Sequence, residues 1–251
     1  KASAGGGGKG MRIVKTEKEL KDAVIAAKRE AKSSFDDDRV FLEKYIEHSR
    51  HIEVQILGDN FGNVIHLGER ECSIQRRHQK IIEESPSSRL TNKIREDITS
   101  AAVKLGKKLN YKSAGTVEFL FDEDTNEFWF LEVNTRLQVE HPVTEEVTGI
   151  DLVKEQIKIA SGKKLDFLQE DVEFNGHAIE ARLYAENPEN DFLPEIGSIN
   201  KLSCSNNKGI RWDTGIATGD KITPDYDPML AKVIAISETR EQSAKLLAKE
   251  L

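Results

Sequence analysis

The sequence predicts a mixed α/β (α+β) fold whose core is an antiparallel sheet. Apolar residues recur at helical spacing in several segments, which predicts amphipathic helices. Between them, apolar and polar residues alternate in short runs joined by turn-forming residues, which predicts strands paired as hairpins. The 251 residues are 37% hydrophobic and 32% charged, a balance typical of a folded chain with an apolar core. This length allows one large domain or two modest ones.

Charge and composition disfavour several classes of protein. The net charge of −7 argues against a general nucleic-acid binder, which would present a basic face. No apolar run approaches the roughly 18 residues of a membrane helix, so we expect no membrane partner. Cys72 and Cys204 are too few for a disulfide scaffold, which favours the cytoplasm or the mitochondrial matrix over secretion. Lys1 is not a natural start, so we expect sequence upstream of it.

A run of glycines lies near the N-terminus. It comprises Gly5, Gly6, Gly7 and Gly8, with Lys1 before it and Lys9 after it. Glycine backbones approach a ligand closely and their N–H groups form anion-binding nests, so a phosphate contact is expected. The run is not a Walker loop, because Gly10 follows Lys9 where Ser or Thr is required. Residues 11–14 are predicted to form a strand, so the glycine loop is expected to join two strands, like a lid over phosphates. Residues 40–46 are another predicted strand. The alternative is a flexible linker.

The next elements follow from periodicity and turns. Helices are predicted at about 16–34 and 94–105, strands at 52–56 and 64–67, and an irregular polar stretch at 69–86. Glu43 and Lys44 lie on opposite faces of the predicted strand 40–46, so one of them is expected to face a ligand. His51, taken alone, is expected to be a structural or surface histidine.

An acidic hairpin carries the strongest signal for a site. Strands 116–121 and 128–134 flank a polar turn, and Glu118 pairs with Glu132 if that turn centres on Thr125. Asn134 shares the face of Glu132. Two carboxylates and an amide oxygen would then converge, and their repulsion is removed by an oxygen-preferring cation, Mg²⁺ or Mn²⁺. The alternative is an exposed acidic strand face.

The alternation continues from Asn134 to Pro142, which predicts that one face carries Arg136, Gln138 and Glu140 next to the metal. An Arg fork and an amide suit a small planar oxyanion, and Glu140 is a candidate general base. A structural Arg136–Glu140 ion pair is the alternative.

A basic cluster occupies residues 75–80, from Gln75 through His78 to Lys80. We place it at a loop between a hairpin and a helix, where a phosphate or substrate contact is plausible. The alternative is a solvated surface loop.

The last third of the chain is predicted to be rich in strands. A helix at 152–160 stops at Gly162, a domain boundary falls within 163–175, strands follow at 178–185, 198–202, 210–214 and 230–236, and a helix starts near 239. Glu180 and Arg182 alternate on one strand, where an ordinary ion pair is the simplest interpretation.

Together, these segments closely resemble biotin carboxylases. The segments that carry the resemblance are Lys1–Met11, Glu43–Tyr45, Arg50–Gln55, Glu69–Lys80, Gly115–Phe119, Glu132–Val143 and Gly176–Arg182. The strings 69–80 and 132–143 are long and specific. The resemblance implies an ATP-grasp fold with a glycine-rich lid and a partial biotin carboxylase C-terminal domain. It divides the chain into a lid subdomain, 1–46, a catalytic subdomain, 47–165, and the C-terminal domain, 176–251, with both ends incomplete.

The resemblance also implies roles for single residues. Lys1 would touch ATP phosphate under the lid of Gly5, Gly6, Gly7 and Gly8, Glu43 and Lys44 would lie near adenine, and His51, Gln75 and His78 would line the nucleotide site. Glu118, Glu132 and Asn134 would hold the metal. Lys80, Arg136, Gln138 and the Val139 backbone would hold bicarbonate, Glu140 would remove its proton, and Arg136 and Arg182 would stabilise the enolate of biotin.

The implied reaction is ATP-dependent carboxylation of biotin by bicarbonate through carboxyphosphate. Its expected partners are a biotin carboxyl carrier domain, a carboxyltransferase and further copies of the chain. The family's N-terminal domain, a second ATP-contacting lysine and the carrier's Ala-Met-Lys-Met motif are not in this sequence, so activity is expected of a longer polypeptide and is left open for this chain alone. Two rivals remain: another bicarbonate-activating ATP-grasp ligase, related to carbamoyl-phosphate synthetase, and a non-catalytic nucleotide-binding module. The final acceptor of CO₂ is open, with an acyl-CoA favoured over pyruvate.

Overall fold

The computed structural model describes residues 1–4 and 10–251. The helices are α1 (Glu17–Phe35), α2 (Asn92–Lys108), α3 (His141–Thr148), α4 (Leu152–Ala160) and α5 (Arg240–Glu250). The strands are β1 (Ser49–Gly58), β2 (Val64–Arg76), β3 (Gln79–Ser85), β4 (Ser113–Asp122), β5 (Glu127–Asn134), β6 (His177–Tyr184), β7 (Glu186–Asn187), β8 (Leu193–Pro194), β9 (Gly197–Ser198), β10 (Ile210–Thr214), β11 (Lys221–Ile222) and β12 (Met229–Ser237). Among the described residues, no helix combines the length and the apolar composition that a membrane crossing requires.

One eight-stranded sheet organises the chain, in the order β10-β12-β6-β3-β2-β1-β4-β5. Every neighbouring pair is antiparallel, which confirms the predicted sheet core. Strand β6 pairs with β3, so the sheet continues across the boundary expected within 163–175. The division of the chain into three units stays a prediction.

Both faces of this sheet are covered. On β1, Ile52, Val54 and Ile56 face one side and form an apolar core with Ile98 of α2 and Phe119 of β4. Helices α3 and α4 lie on the opposite side, where α4 buries Leu152 against Leu57 and Leu67. Beside this second core, the same face of β1 carries buried polar groups, which lead into the candidate site.

The predicted helices at 16–34, 94–105 and 152–160 and the one starting near 239 are confirmed as α1, α2, α4 and α5. The Thr91 hydroxyl accepts the Ile94 N–H at the start of α2, and the Asp151 carboxylate accepts the Lys154 N–H at the start of α4. Among the described residues, Cys72 is buried and Cys204 is exposed, each as a free thiol.

Helix α3 corrects one prediction. Residues 134–142 were expected to extend a strand, but β5 ends at Asn134 and a helix begins at His141. Pro142 lies in the first turn of this helix, where its missing N–H costs nothing, and Gly149 ends it with a φ of 69°. The alternation in the sequence therefore stops at the strand end.

The polar stretch 69–86 is a second correction. It is not irregular, because β2 continues to Arg76 and β3 follows from Gln79 to Ser85. The turn between them is Arg77-His78, with both residues at positive φ. Polar residues occupy these strands because their side chains face a buried site, which a pattern of apolar alternation does not reveal.

Three short predicted strands are wrong. Of residues 40–46, only Val40 pairs, in an isolated bridge with Ala2, while Leu42 and Tyr45 are exposed. Residues 11–14 form no strand, so the expected pair of strands around the glycine loop is absent from the described residues. Of 198–202, only Ser198 lies in a strand. Apolar residues alone do not make a strand when no neighbour offers a ladder of hydrogen bonds.

Candidate functional site

A buried cluster of charged side chains lies on the face of the sheet that α3 covers. Lys80 of β3 is at its centre, with its Nζ 2.5 Å from Glu53 Oε2, 2.5 Å from Glu140 Oε1 and 3.1 Å from Glu118 Oε1. These carboxylates come from β1, from the segment before α3 and from β4. One ammonium therefore holds three parts of the chain together, and the basic cluster at 75–80 lies in a β-hairpin whose Lys80 points into the site.

The charges of the cluster stabilise one another. Burial alone would lower the pKa of Lys80, but Glu53 and the other carboxylates outweigh it and raise that pKa. Burial alone would raise the pKa of Glu53, yet Lys80 and Arg70 hold it well below its usual range. Both groups are therefore ionised at neutral pH.

His51 also belongs to the cluster, and not to the surface. Its Nε2 lies 2.9 Å from Glu118 Oε2 and 3.7 Å from Glu53 Oε2. Burial would lower its pKa, but these two carboxylates raise it to about 9, so the imidazole is charged at neutral pH.

Arg70, which the sequence patterns did not single out, orients much of the cluster. Its guanidinium is fully buried and donates to Glu53, Gln55 and Gln138 at 2.6, 2.7 and 3.0 Å. It also donates to Thr144 and Thr116 at 2.9 and 3.2 Å. All five contacts are made by side chains.

The Arg70 contact sets the direction of the Gln138 amide. Because the amide oxygen of Gln138 accepts from Arg70, its nitrogen faces Glu118 Oε1 at 2.7 Å. Glu53 and Gln55 alternate with isoleucine and valine on β1, a pattern that ordinarily marks a solvent face. That is why Glu53 and Arg70 escaped prediction.

The register predicted for the acidic hairpin is confirmed. Glu118 pairs with Glu132 and Thr116 with Asn134 across β4 and β5. Asn134 donates its Nδ2 to Glu118 Oε1 at 2.9 Å. Glu118 is buried and Glu132 is exposed, so the three side chains extend from the cluster toward its rim.

These side chains fit a divalent cation. Their carboxylate and amide oxygens are the ligands that Mg²⁺ and Mn²⁺ prefer. One oxygen of the Glu118 carboxylate faces Lys80 and the other faces His51, so a bound cation would replace these cationic neighbours as the partner of Glu118. His51, Glu53 and Glu118 each place one potential ligand atom within 4.8 Å of the others, and His51 would have to lose its proton before it could bind a metal. The metal role of Glu118, Glu132 and Asn134 stays a prediction.

Glu140 and Arg182 meet at the other side of Lys80. Arg182 of β6 donates Nη2 to Glu140 Oε2 at 3.0 Å and Nε to Glu83 Oε1 at 2.7 Å. The ordinary cross-strand ion pair expected for this strand forms between Arg182 and Glu83, while Glu180 forms no ion pair among the described residues. A carboxylate between an ammonium and a guanidinium can accept a proton and then lose it again.

Arg136 lies apart from these groups. The expected common face of Asn134, Arg136, Gln138 and Glu140 is wrong, since the chain leaves the strand after Asn134. Gln138 and Glu140 are nevertheless buried in the cluster, whereas the exposed Arg136 donates only to the Leu137 carbonyl, at 3.2 Å. Within the described part of the chain it forms no ion pair with Glu140.

The residues expected to bind nucleotide are distributed over the N-terminal segment, the segment before β1 and the β2–β3 hairpin. Lys1 Nζ is 3.4 Å from Glu43 Oε2, and Lys44 Nζ is 5.2 Å from the centre of the Trp129 ring. Gln75 donates to the Cys72 carbonyl, and His78 is exposed at the β2–β3 turn. The Val139 carbonyl accepts from Lys232 Nζ at 2.8 Å. Gly5, Gly6, Gly7 and Gly8 lie outside the described residues.

Two family models match the chain. The model described as carbamoyl-phosphate synthase L chain, ATP binding domain, matches residues 1–168. The model described as biotin carboxylase C-terminal domain matches residues 180–251.

Individual relatives are similar over the whole chain. Biotin carboxylase 1 of Bacillus subtilis (strain 168) is 52% identical over 251 residues, which are 100% of this chain and 56% of that protein. The mitochondrial methylcrotonoyl-CoA carboxylase subunit alpha of Rattus norvegicus is 49% identical over 98% of this chain and 34% of its own length. The chain therefore spans about half of the first relative and a third of the second.

A solved structure shares the same backbone. It is the biotin carboxylase domain dimer of Hydrogenobacter thermophilus 2-oxoglutarate carboxylase, in complex with MgADP, ADP and bicarbonate. Its TM-score is 0.96 at 48% identity, covering 100% of this chain and 55% of that one.

Proposed function

The chain belongs to the biotin carboxylase family and has its ATP-grasp fold, and from this premise we propose that it carries the site in which ATP and bicarbonate carboxylate biotin. The observation that carries the proposal is the cluster around Lys80, which brings Glu140, Glu118 and His51 together although they come from distant parts of the chain. A relative bound to MgADP and bicarbonate supports the same assignment. The reaction is the first half of a biotin-dependent carboxylation.

The nucleotide is proposed to lie between the N-terminal segment, the β2–β3 hairpin and strand β5. Lys1 and the glycines Gly5, Gly6, Gly7 and Gly8 would contact its phosphates, Glu43 and Lys44 its adenine, and His51, Gln75 and His78 the rest. Exposed apolar rings at Phe41 and Trp129 flank this region, as expected for a surface that receives a flat base.

The divalent ion is proposed to be held by Glu118, Glu132 and Asn134. When bound, Mg²⁺ or Mn²⁺ would neutralise the charge that phosphoryl transfer places on the phosphate oxygens. The pairing of Glu118 with Glu132 supports the assignment, because it joins a buried acid to an exposed one at the mouth of the site.

Bicarbonate is proposed to bind beside Lys80, with Gln138, the Val139 backbone and Arg136 as further contacts. Glu140 would remove its proton, and the resulting oxyanion would attack the γ-phosphate of ATP to form carboxyphosphate and ADP. Lys232 on β12 holds the Val139 carbonyl, and α3 begins directly after Glu140. The segment that carries the base is therefore fixed at both sides, which favours a constant geometry for proton transfer.

Carboxyphosphate would then release CO₂ and phosphate, and biotin is proposed to accept the CO₂ beside Arg182 and Arg136, whose guanidinium groups would stabilise its enolate form. The released phosphate would take up the proton that leaves the ring nitrogen of biotin. The biotin would arrive on a carboxyl carrier domain, and a carboxyltransferase would use the product, with the whole protein forming a homo-oligomer. The relatives are named for an acyl-CoA and for a 2-oxo acid, so the final acceptor cannot be taken from them. We favour an acyl-CoA.

The test is ADP release by the full-length protein in the presence of bicarbonate, with and without biotin. Biotin-dependent release is expected. The match of residues 1–168 to a carbamoyl-phosphate synthase model makes a second bicarbonate-activating ligase the main rival, and that rival would release ADP without regard to biotin. Nucleotide binding without any turnover would favour a non-catalytic module.

A further inference from the structure

Glu83 touches the proposed machinery but has no role in the reaction proposed above. It shares β3 with Lys80 and is fully buried. Its Oε1 accepts from Arg182 Nε at 2.7 Å, while its Oε2 is buried without a hydrogen-bond partner among the described residues. A buried carboxylate with one unused oxygen is costly, so its retention here calls for a physical reason.

A second buried acid stands opposite it. Glu180 of β6 is the direct cross-strand neighbour of Glu83, and both of its oxygens are buried with no hydrogen-bond partner in the described part of the chain. Burial and the adjacent Glu83 raise the pKa of Glu180 well above its usual range. Glu83 differs because it contacts Arg182. Burial also raises the pKa of Glu83, to about 7, although Arg182 opposes this shift. The pair therefore consists of Glu83, which contacts the guanidinium, and Glu180, which has no hydrogen-bond partner in the described part of the chain.

The Arg182 guanidinium is held at two points. Nε is anchored on Glu83, and Nη2 reaches Glu140. Because the guanidinium is planar with its donors in a rigid fork, anchoring Nε determines the plane and direction of the terminal amino groups. If Glu140 turns to bicarbonate, the Glu83 contact still holds Arg182 through Nε.

We propose that Glu83 is a positioning residue for biotin carboxylation, holding Arg182 through Nε so that its terminal amino groups face Glu140 and the substrate. This inference rests on the proposed function, since it assigns Arg182 to the carboxylation step. Glu83 acts only through Arg182. Glu180 forms no hydrogen bond with Arg182 in the described part of the chain.

The chain offers a matched control. Glu83→Gln and Glu180→Gln make the same change at two fully buried positions that face each other on adjacent strands. In the full-length protein, we expect Glu83→Gln to lower kcat for biotin carboxylation roughly 10- to 100-fold, the range for losing a charged hydrogen bond. The KM for ATP should stay unchanged. Glu180→Gln should stay within roughly twofold of the wild type, because Glu180 makes no hydrogen bond among the described residues that the substitution could interrupt.

Two further variants separate positioning from folding. Glu83→Asp keeps the carboxylate and should recover part of the lost kcat. In an Arg182→Lys background, Glu83→Gln should have little additional effect, because both changes interrupt the same contact. Thermal unfolding identifies any variant that fails to fold. If Glu83→Gln fails to fold, Glu83→Asp still tests the idea, because its shorter side chain should lower kcat without changing the KM for ATP.

The outcomes are distinct. Wild-type kcat in Glu83→Gln, equal losses in Glu83→Gln and Glu180→Gln, or additive effects of Glu83→Gln and Arg182→Lys would each overturn the positioning role. Absence of biotin-dependent ADP release from the wild-type protein would instead overturn the proposed function.

Discussion

The two faces of strand β1 are equally buried but are built in opposite ways. Ile52, Val54 and Ile56 pack against α2, while Glu53 and Gln55 on the other side join Arg70 and the charged cluster. On the apolar face, stability comes from burial that any well-fitting apolar group could supply. On the polar face, each group depends on its partner, and removing one side chain leaves the others buried without a partner. A single substitution should therefore destabilise the polar face more than the apolar face.

The largest expected effect comes from removing the hub of the polar face. Arg70→Met leaves the buried Glu53 with only Lys80 and His51 as cationic neighbours among the described residues and removes the Arg70 contact from Gln138, so we expect a loss of about 3–5 kcal/mol in the free energy of unfolding. Urea unfolding measures it. Arg77→Met is the control, since the Arg77–Asp191 pair is exposed and should contribute at most about 1 kcal/mol. Equal losses in the two variants would contradict the comparison.

A large-to-small substitution on the apolar face should lower the free energy of unfolding nearly as much as Arg70→Met, but it should leave nucleotide binding unchanged. Ile98→Ala empties a fully buried position between α2 and β1, with an expected loss of about 2–5 kcal/mol. Below its unfolding transition, this variant should bind nucleotide like the wild type, because no polar contact changes. Nucleotide titration of the folded protein checks this, and weakened binding would show that the two faces are coupled.

A smaller effect depends on pH. His177 and Arg240 both contact Glu84 and hold its pKa below the ordinary value of 4.5, although burial opposes them. The carboxylate therefore contributes stability above about pH 4.5 that is lost as the pH falls through the folded-state pKa. Glu84→Gln should flatten this acid limb of the unfolding free energy measured against pH. A limb of unchanged steepness would assign the acid sensitivity to the Lys80 cluster instead.

The smallest effect concerns the edge of the apolar packing. Thr239 accepts the Gln242 N–H at the start of α5, and Thr239→Ala should cost about 1 kcal/mol. Thr239→Ser retains the cap and should stay close to the wild type. A shift in melting temperature for the alanine variant alone would confirm that the cap, and not the methyl group, matters.

Local patterns predicted the elements whose signals are local. The helical spacing of Ile94, Ile98 and Leu105 indicated α2, and the turn around Thr125 indicated the pairing of Glu118 with Glu132. The polar strands β2 and β3 escaped because their side chains face charges and not an apolar core. The prediction of a strand at residues 40–46 was wrong for the opposite reason: these residues include exposed apolar side chains, but beyond Val40 they pair with no strand in the described part of the chain.

The candidate site was predicted in its members more than in its geometry. Lys80, Gln138 and Glu140 were named from the sequence, but they were assigned to a loop and to a continuing strand. Glu53, Arg70 and Glu83 were not named, because single acids and bases within alternating strands resemble solvent-facing charges. Their burial depends on what lies over that face of the sheet.

By itself, the sequence determined the mixed fold with an antiparallel sheet, most of its helices, the pairing of the acidic hairpin and, through specific strings of residues, the family. The tertiary structure alone decided that β6 packs beside β3 and that α3 covers the polar face of β1. The physical reason is the distance along the chain over which each kind of signal acts. Spacing and turns act between near neighbours, whereas the meeting of Lys80 with Glu53, Glu118 and Glu140 depends on strands that are far apart in the chain.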